Sequence, residues 1–239
     1  SYHNHKLCLI VPFRDRFDEL LEFIPYMKRF LCQQAVRNEI VVINQSDDLR
    51  FNRGSLINIG YLIAKHHFGC DYIGMHDVDL LPVNDQLNYS YPSSNPYHVS
   101  APNLHPKYHY KNFVGGILLI KNEHFEKVNG LSNRFWGWGK EDDEFFKRLK
   151  VASLKIERPT NLDTGNKTFR HIHNKQKRPR DYERFGDQVF VSYDQKDNTT
   201  GLNSLSYTEI SRNHLTVDGH LALVVNVHLS CNVYETPWC

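Results

Sequence analysis

Two segments carry residues whose types and spacing suit chemistry: HDVDLLP at 76–82 and FWGWGKEDDEFF at 135–146. In the first, Asp77 and Asp79 flank Val78, so an extended chain places both carboxylates on one side and Val78 on the other. Hard oxygen ligands of this kind suit Mg²⁺ or Mn²⁺, and such a cation can bridge to a diphosphate. A D-x-D taken alone is equally a solvated turn or a helix cap. Its place directly after the apolar YIGM favours the ligand role. In the second segment, Trp136 and Trp138 alternate with Gly137 and Gly139, a hinged aromatic element able to stack on a sugar face and to move. The acids Glu141, Asp142, Asp143 and Glu144 follow. A helix N-terminus favours acids through its macrodipole, which accounts for one or two of them but not for the W-G-W-G in front. A carboxylate beside a bound acceptor can act as general base for a hydroxyl. Together the segments point to metal-dependent chemistry on a sugar nucleotide.

Other residues fit around that core. His171 and His173 flank Ile172, so both imidazoles point one way in an extended chain and can share an ion. Mixed nitrogen and oxygen ligands favour Mn²⁺ over Mg²⁺, and Zn²⁺ also accepts them. Arg14 and Arg16 suit phosphates or a uracil carbonyl, and Phe51 could stack on a base; surface charge and a packed ring explain them equally well. Tyr108 and Tyr110 alternate like neighbours on one strand face, as walls for an acceptor sugar or as loop packing. The basic run KQKRPR at 175–180 reads as a solvated loop that could also touch an anionic acceptor.

These groups need a scaffold. KLCLIVPF (6–13), EIVVIN (39–44) and DYIGMH (71–76) read as buried strands, and 18–34 and 55–69 as helices, with a kink at Pro25 and a cap at Gly69. Strand–helix alternation at this spacing implies right-handed βαβ units and a mostly parallel sheet. Ligands then collect beyond the carboxyl ends of the strands, where Arg14-Asp15-Arg16, Asn44-Gln45 and Asp77-Val78-Asp79 lie. Residues 83–112 should be irregular, FVGGILLI (113–120) another strand, 123–129 a short helix capped by Asn122, and 141–150 a helix. Residues 165–187 should form a mobile loop, and VDGHLALVVNVHL a single late strand. No repeat or linker divides residues 1–239, so one domain is expected.

The chain has 239 residues and a net charge of +2, too small to argue for nucleic acid or a membrane surface as partner. At 40% hydrophobic and 23% charged it is not a disordered chain. No run approaches the roughly 20 apolar residues that cross a bilayer, and the start shows no signal-peptide pattern, as in a trimmed chain or mature ectodomain. Cys231 and Cys239 enclose a short loop and either pair in an oxidising compartment or stay reduced. In the reduced case Cys8 and Cys70 simply fill core positions. Sequons begin at Asn44, Asn88, Asn166 and Asn198.

Over residues 6–175, the blocks PFRDR, INQ, FNRGSLINIGY, HDVDLLP, FVGG and FWGWGKEDDEFFKR resemble the β-1,4-galactosyltransferases in kind and order. The H-I-H at 171–173 resembles the branch acting on xylose, whereas lactose-forming relatives carry a methionine and a histidine at wider spacing. The resemblance implies an α/β GT-A fold, Rossmann-like, with a mostly parallel sheet flanked by helices. It implies a Golgi type II membrane enzyme, seen without its anchor, that moves galactose with inversion from UDP-galactose to O4 of β-xylose on proteoglycan core proteins. Asp79, His171 and His173 would hold Mn²⁺. Arg14, Arg16, Phe51, Arg53, Asp77 and Val78 would line the UDP site, and Gly116, Trp138, Glu141 and Asp142 would surround the galactose. Tyr108, Tyr110, Trp138, Asp142 and Asp143 would meet the acceptor, with Asp142 as base. Two other readings remain open: a relative using GlcNAc-type acceptors or another UDP-sugar, and a carbohydrate-binding relative that has lost catalysis.

Overall fold

The computed structural model describes residues 4–162, 167–183 and 197–239. Its main sheet has seven strands in the order β5-β6-β3-β1-β2-β9-β8. These are β1 (Lys6–Phe13), β2 (Arg37–Gln45), β3 (Tyr72–His76), β5 (Tyr97–His98), β6 (Ile117–Lys121), β8 (Tyr207–Val217) and β9 (His220–Leu229). The central four, β3-β1-β2-β9, run parallel, and antiparallel strands close both edges. β1 is apolar throughout because both its faces are covered. Leu7, Leu9 and Val11 pack under helix α1 (Phe17–Gln33), while Cys8 and Ile10 pack against helix α2 (Arg53–His66). Two further helices are α3 (Asn122–Lys127) and α4 (Glu141–Val151). Among the described residues no helix is long and apolar enough to cross a membrane.

Several expectations change. Asp218 (φ 48°) and Gly219 (φ 77°) form a tight turn, so VDGHLALVVNVHL belongs to the β8–β9 hairpin and not to one strand. FVGG precedes β6 and is not part of it. Asn122 is the first helical residue of α3, not its cap, and donates to the carbonyl of Cys70. Cys8 and Cys70 are not separate core thiols: they form a disulfide from β1 to the approach of β3. Cys231 and Cys239 also pair, and Cys32 is a free, exposed thiol. The Asn44 side chain is engaged with Asn226 between β2 and β9, at 2.8 Å, which disfavours a glycan there. Asn88 and Asn198 are exposed, and Asn166 lies outside the described residues.

One small element matters most for the site. Within the span expected as a loop, β7 (Phe169–His171) pairs antiparallel with β4 (Leu80–Pro82), matching Leu80 with His171. The Ile172 N–H then donates to the Asp79 carbonyl at 2.8 Å. The H-x-H is therefore anchored by backbone pairing beside the D-x-D. Residues 165–166 and 184–187 of the expected loop lie outside the described residues.

Candidate active site

Two cavities, of about 580 and 430 Å³, open beyond the carboxyl ends of the parallel strands. Phe51, Arg53, Asp77, Tyr108, Trp138 and Arg180 line both, so the two spaces share a wall.

The larger cavity holds the expected ion site. Asp79 lies 3.9 Å from His171 Nε2 and 3.3 Å from His173 Nδ1. The Arg16 guanidinium sits against the same group, 2.7 Å from His173 Nδ1 and 3.5 Å from Asp79 Oδ2. Burial alone would raise the Asp79 pKa, but the hydrogen bond with His173 and the neighbouring His171 and Arg16 hold it down to about 2. Burial first, aided by Lys107, lowers His171 to about 4, against the pull of Asp79, and keeps the ring neutral. Among the described residues no three such groups already converge as a metal cage. The chemistry nevertheless fits a divalent cation: one ionised carboxylate, a neutral imidazole, and a second imidazole whose buried Nε2 has no hydrogen-bond partner among the described residues. Val78, 3% exposed, faces the opposite way into the apolar layer yet still borders the cavity.

Arg14 lines this cavity as a brace. Its guanidinium donates to the carbonyls of Gln45, Asp47 and Leu49 at 2.6–3.1 Å and lies 6.0 Å from the Phe51 ring. It thereby shapes the loop that presents Phe51, leaving Arg16 as the arginine beside the ion site.

The smaller cavity gathers acids and aromatics. Asn52 caps α2 by accepting from the Ser55 N–H at 2.9 Å, which sets Arg53 at the first helical position. Arg53 reaches Asp77 and Asp142 at 2.9 Å and Glu141 at 3.6 Å. One guanidinium thus serves three carboxylates. Burial first, then Asp77 and Asp143, push Asp142 up to about 6 despite Arg53; burial and Asp142 push Glu141 up to about 8. Asp77 is also raised by burial, against Arg53. Tyr110, Phe113, Gly116 and Asp143 complete the lining.

The W-G-W-G element divides. Trp136 is 3% exposed and belongs to the core, so only Trp138, 37% exposed, is available as a platform. Gly137 (φ 84°) and Gly139 (φ 92°) hold Trp138 in a turn that side-chain-bearing residues resist. Buried Asn58 of α2 ties down the segment before it through Leu131 and Asn133. The Trp138 N–H donates to the Asp181 carbonyl at 2.8 Å, and Arg50 grips the Asp181 carboxylate at 2.6 and 2.9 Å.

Arg50, Asp181 and Gly115 were absent from the expected site, and Arg180 was expected only within the basic run 175–180, as a solvated loop that could touch an anionic acceptor. Gly115 runs so close beneath Asp142 that a Cβ there would overlap Asp142 Oδ2. His98 Nε2 and Ser100 Oγ both donate to the Gly115 carbonyl at 2.8 Å and fix that backbone. Only the glycine pair in FVGG signalled a close approach; no spacing joins Arg50 to Asp181.

Family models described as the N-terminal region of glycosyl transferase group 7 and the N-terminal domain of galactosyltransferase match residues 2–92 and 95–175. The human beta-1,4-galactosyltransferase 7 is 49% identical over the whole chain, which spans 72% of that relative. The chain belongs to the β-1,4-galactosyltransferase family. The Drosophila melanogaster beta-1,4-galactosyltransferase 7 is 52% identical, over 98% of this chain and 73% of the relative. The crystal structure of a mutant of the Drosophila enzyme, in complex with manganese, UDP-Gal and xylobiose, superposes with a TM-score of 0.95 at 51% identity, covering 98% of each chain. The chain therefore has the GT-A fold that the resemblance implied, with the mostly parallel sheet that strand–helix alternation implied.

Proposed function

We propose that this chain moves galactose from UDP-galactose to O4 of β-xylose on proteoglycan core proteins, a step of glycosaminoglycan linkage-region synthesis. The observation that carries the reading is the shared wall of the two cavities. UDP in the larger and the acceptor in the smaller would meet across the galactose at Asp77, Arg53 and Trp138. Asp79, His171 and His173 would hold Mn²⁺, which when bound supplies a Lewis acid for the leaving diphosphate. Phe51, Arg53, Asp77 and Val78 wall the nucleotide sugar, and Glu141 and Gly116 border the galactose. Tyr108, Tyr110 and Trp138 present aromatic faces to xylose, with Asp143 beside them. Asp142 takes the acceptor proton as O4 attacks the anomeric carbon from the face opposite the departing UDP, and one displacement inverts the configuration. Trp138 and the segment gripped through Asp181 exclude water around the donor.

The reading takes residues 1–239 as one catalytic domain, with the early strand β1 and the late strand β9 in a single sheet. Two disulfides agree with a Golgi-lumenal site of action, as for a type II membrane enzyme. The test is a panel of labelled UDP-sugars against β-xylosides and GlcNAc, with and without Mn²⁺. Mn²⁺-dependent galactosylation of the xyloside is expected. Transfer to GlcNAc but not to xylose would overturn the acceptor assignment, and no transfer at all would favour a carbohydrate-binding role.

A further inference from the structure

Arg180 ends the basic run expected as a solvated loop, yet it stands where the two cavities meet. Its Nη1 donates to the Tyr108 hydroxyl at 2.6 Å. Its guanidinium lies 4.7 Å from the Trp138 ring and 5.9 Å from the Tyr108 ring. The neighbouring Asp181, held by Arg50 and by the Trp138 N–H, fixes this stretch of chain in place.

Charge sets Arg180 apart from the other arginines of the larger cavity. Arg14, Arg16, Arg50, Arg53 and Arg178 each have a carboxylate within ion-pair distance: Asp47, Asp79, Asp181, Asp77 and Glu19. Among the described residues, no carboxylate lies that close to Arg180. Lys107, whose Nζ is 2.9 Å from His171 Nδ1, adds a second cation nearby; burial first and Arg180 next lower its pKa. A guanidinium held over two aromatic rings, without a balancing carboxylate, is a preorganised site for an anion. Its position between the Asp79–His171 group and the Trp138 platform is where the bond to the diphosphate would break.

We infer that Arg180 is the protein's own counter-cation for the departing diphosphate; this rests on the galactosyl transfer proposed above. As the acceptor O4 bonds to the anomeric carbon, the bond from that carbon to the β-phosphate oxygen breaks. The electron pair stays on that oxygen, UDP leaves with one more negative charge, and the acceptor proton passes to Asp142. Arg180 meets the new charge on UDP, so its contribution is larger in the transition state than in the bound donor.

Two variants test this. Arg180→Met keeps a long stem against Trp138 without the charge, and Arg180→Lys keeps the charge. Steady-state kinetics would be paired with calorimetry of UDP and UMP binding to the Mn²⁺-loaded enzyme. For Arg180→Met, a kcat loss of about 100-fold is expected, with UDP weakened about tenfold and UMP by less than about twofold. Arg180→Lys should recover part of both losses. Unchanged kcat with unchanged UDP affinity would overturn the inference. Equal weakening of UDP and UMP would do so too, marking Arg180 as a prop for the aromatic wall. A rise in xyloside KM alone would assign Arg180 to an anionic acceptor instead. The calorimetric comparison needs no acceptor, so it decides on Arg180 even if transfer to xylose is not found.

Discussion

Asp79 and Asp142 are the same residue type at the two ends of one site, and the structure drives them in opposite directions. Their side chains are 13% and 21% exposed, so burial does not separate them; the less buried one has the higher pKa. Neighbours do. Asp79 is a lone acid among Arg16, His171 and His173, and its charge is stabilised. Asp142 shares the single guanidinium of Arg53 with Asp77 and Glu141, and three acids around one cation cannot all remain comfortably ionised. The first environment favours an ionised carboxylate, as a cation site would need, and the second favours a carboxylate able to take up a proton. A cluster of acids is thus not in itself a metal site, and the local ratio of acids to cations decides which kind it is.

The sharpest way to break this comparison is to neutralise each end in turn. Asp142→Asn should lower kcat by about 10³-fold while Mn²⁺-dependent UDP binding stays within about twofold; unchanged turnover would refute the base assignment. Because folding raises the Asp142 pKa to about 6, the base is protonated below that pH. The kcat/KM of the unaltered enzyme should therefore fall as pH drops through about 6, and a flat profile down to pH 5 would count against it. His173→Ala should act at the other end, weakening Mn²⁺ by roughly 10- to 100-fold in a titration followed by electron paramagnetic resonance. Full retention of the ion would remove His173 from the metal site.

Two smaller effects sharpen the contrast. Gly115→Ala would press on Asp142 and leave Asp79 untouched. A kcat loss of about tenfold is expected, with Mn²⁺ affinity unchanged; equal loss of both would mean that the two ends are not separable. Glu141→Gln concerns stability. Its folded pKa is raised from 4.5 to about 8, so the stability linked to this group is complete below pH 4.5 and lost as pH rises through 8. Removing the titratable group should raise Tm by on the order of 3 °C at pH 8 and leave it unchanged at pH 4.5. A lower Tm at pH 8 would show that Glu141 is held as a stabilised anion.

Much of the framework was legible because it rests on short-range patterns. The strands β1, β2 and β3, helices α1 and α2, and the acids at the start of α4 follow from hydrophobic period and chain punctuation. The D-G turn of the β8–β9 hairpin is a short-range signal as well, yet the expectation there was a single strand, because β8 is a polar edge strand whose pattern reads like loop. Trp136 and Trp138 look alike in sequence, and only packing sent one to the core. The β4–β7 pairing, which brings the histidines to Asp79, joins strands of three residues each, too short to announce themselves.

The sequence by itself determined which groups sit together in short segments: Asp77 with Asp79, His171 with His173, and Trp138 between its glycines. The extended D-x-D expected there is instead a turn from Asp77 to Leu80, so only nearness along the chain, a local property, was fixed in advance. The tertiary structure alone decided what those groups are for. It set Arg16 beside Asp79, Arg53 among three acids, and Arg180 over Trp138. Proton affinity and charge balance act through space, between residues that the chain keeps far apart.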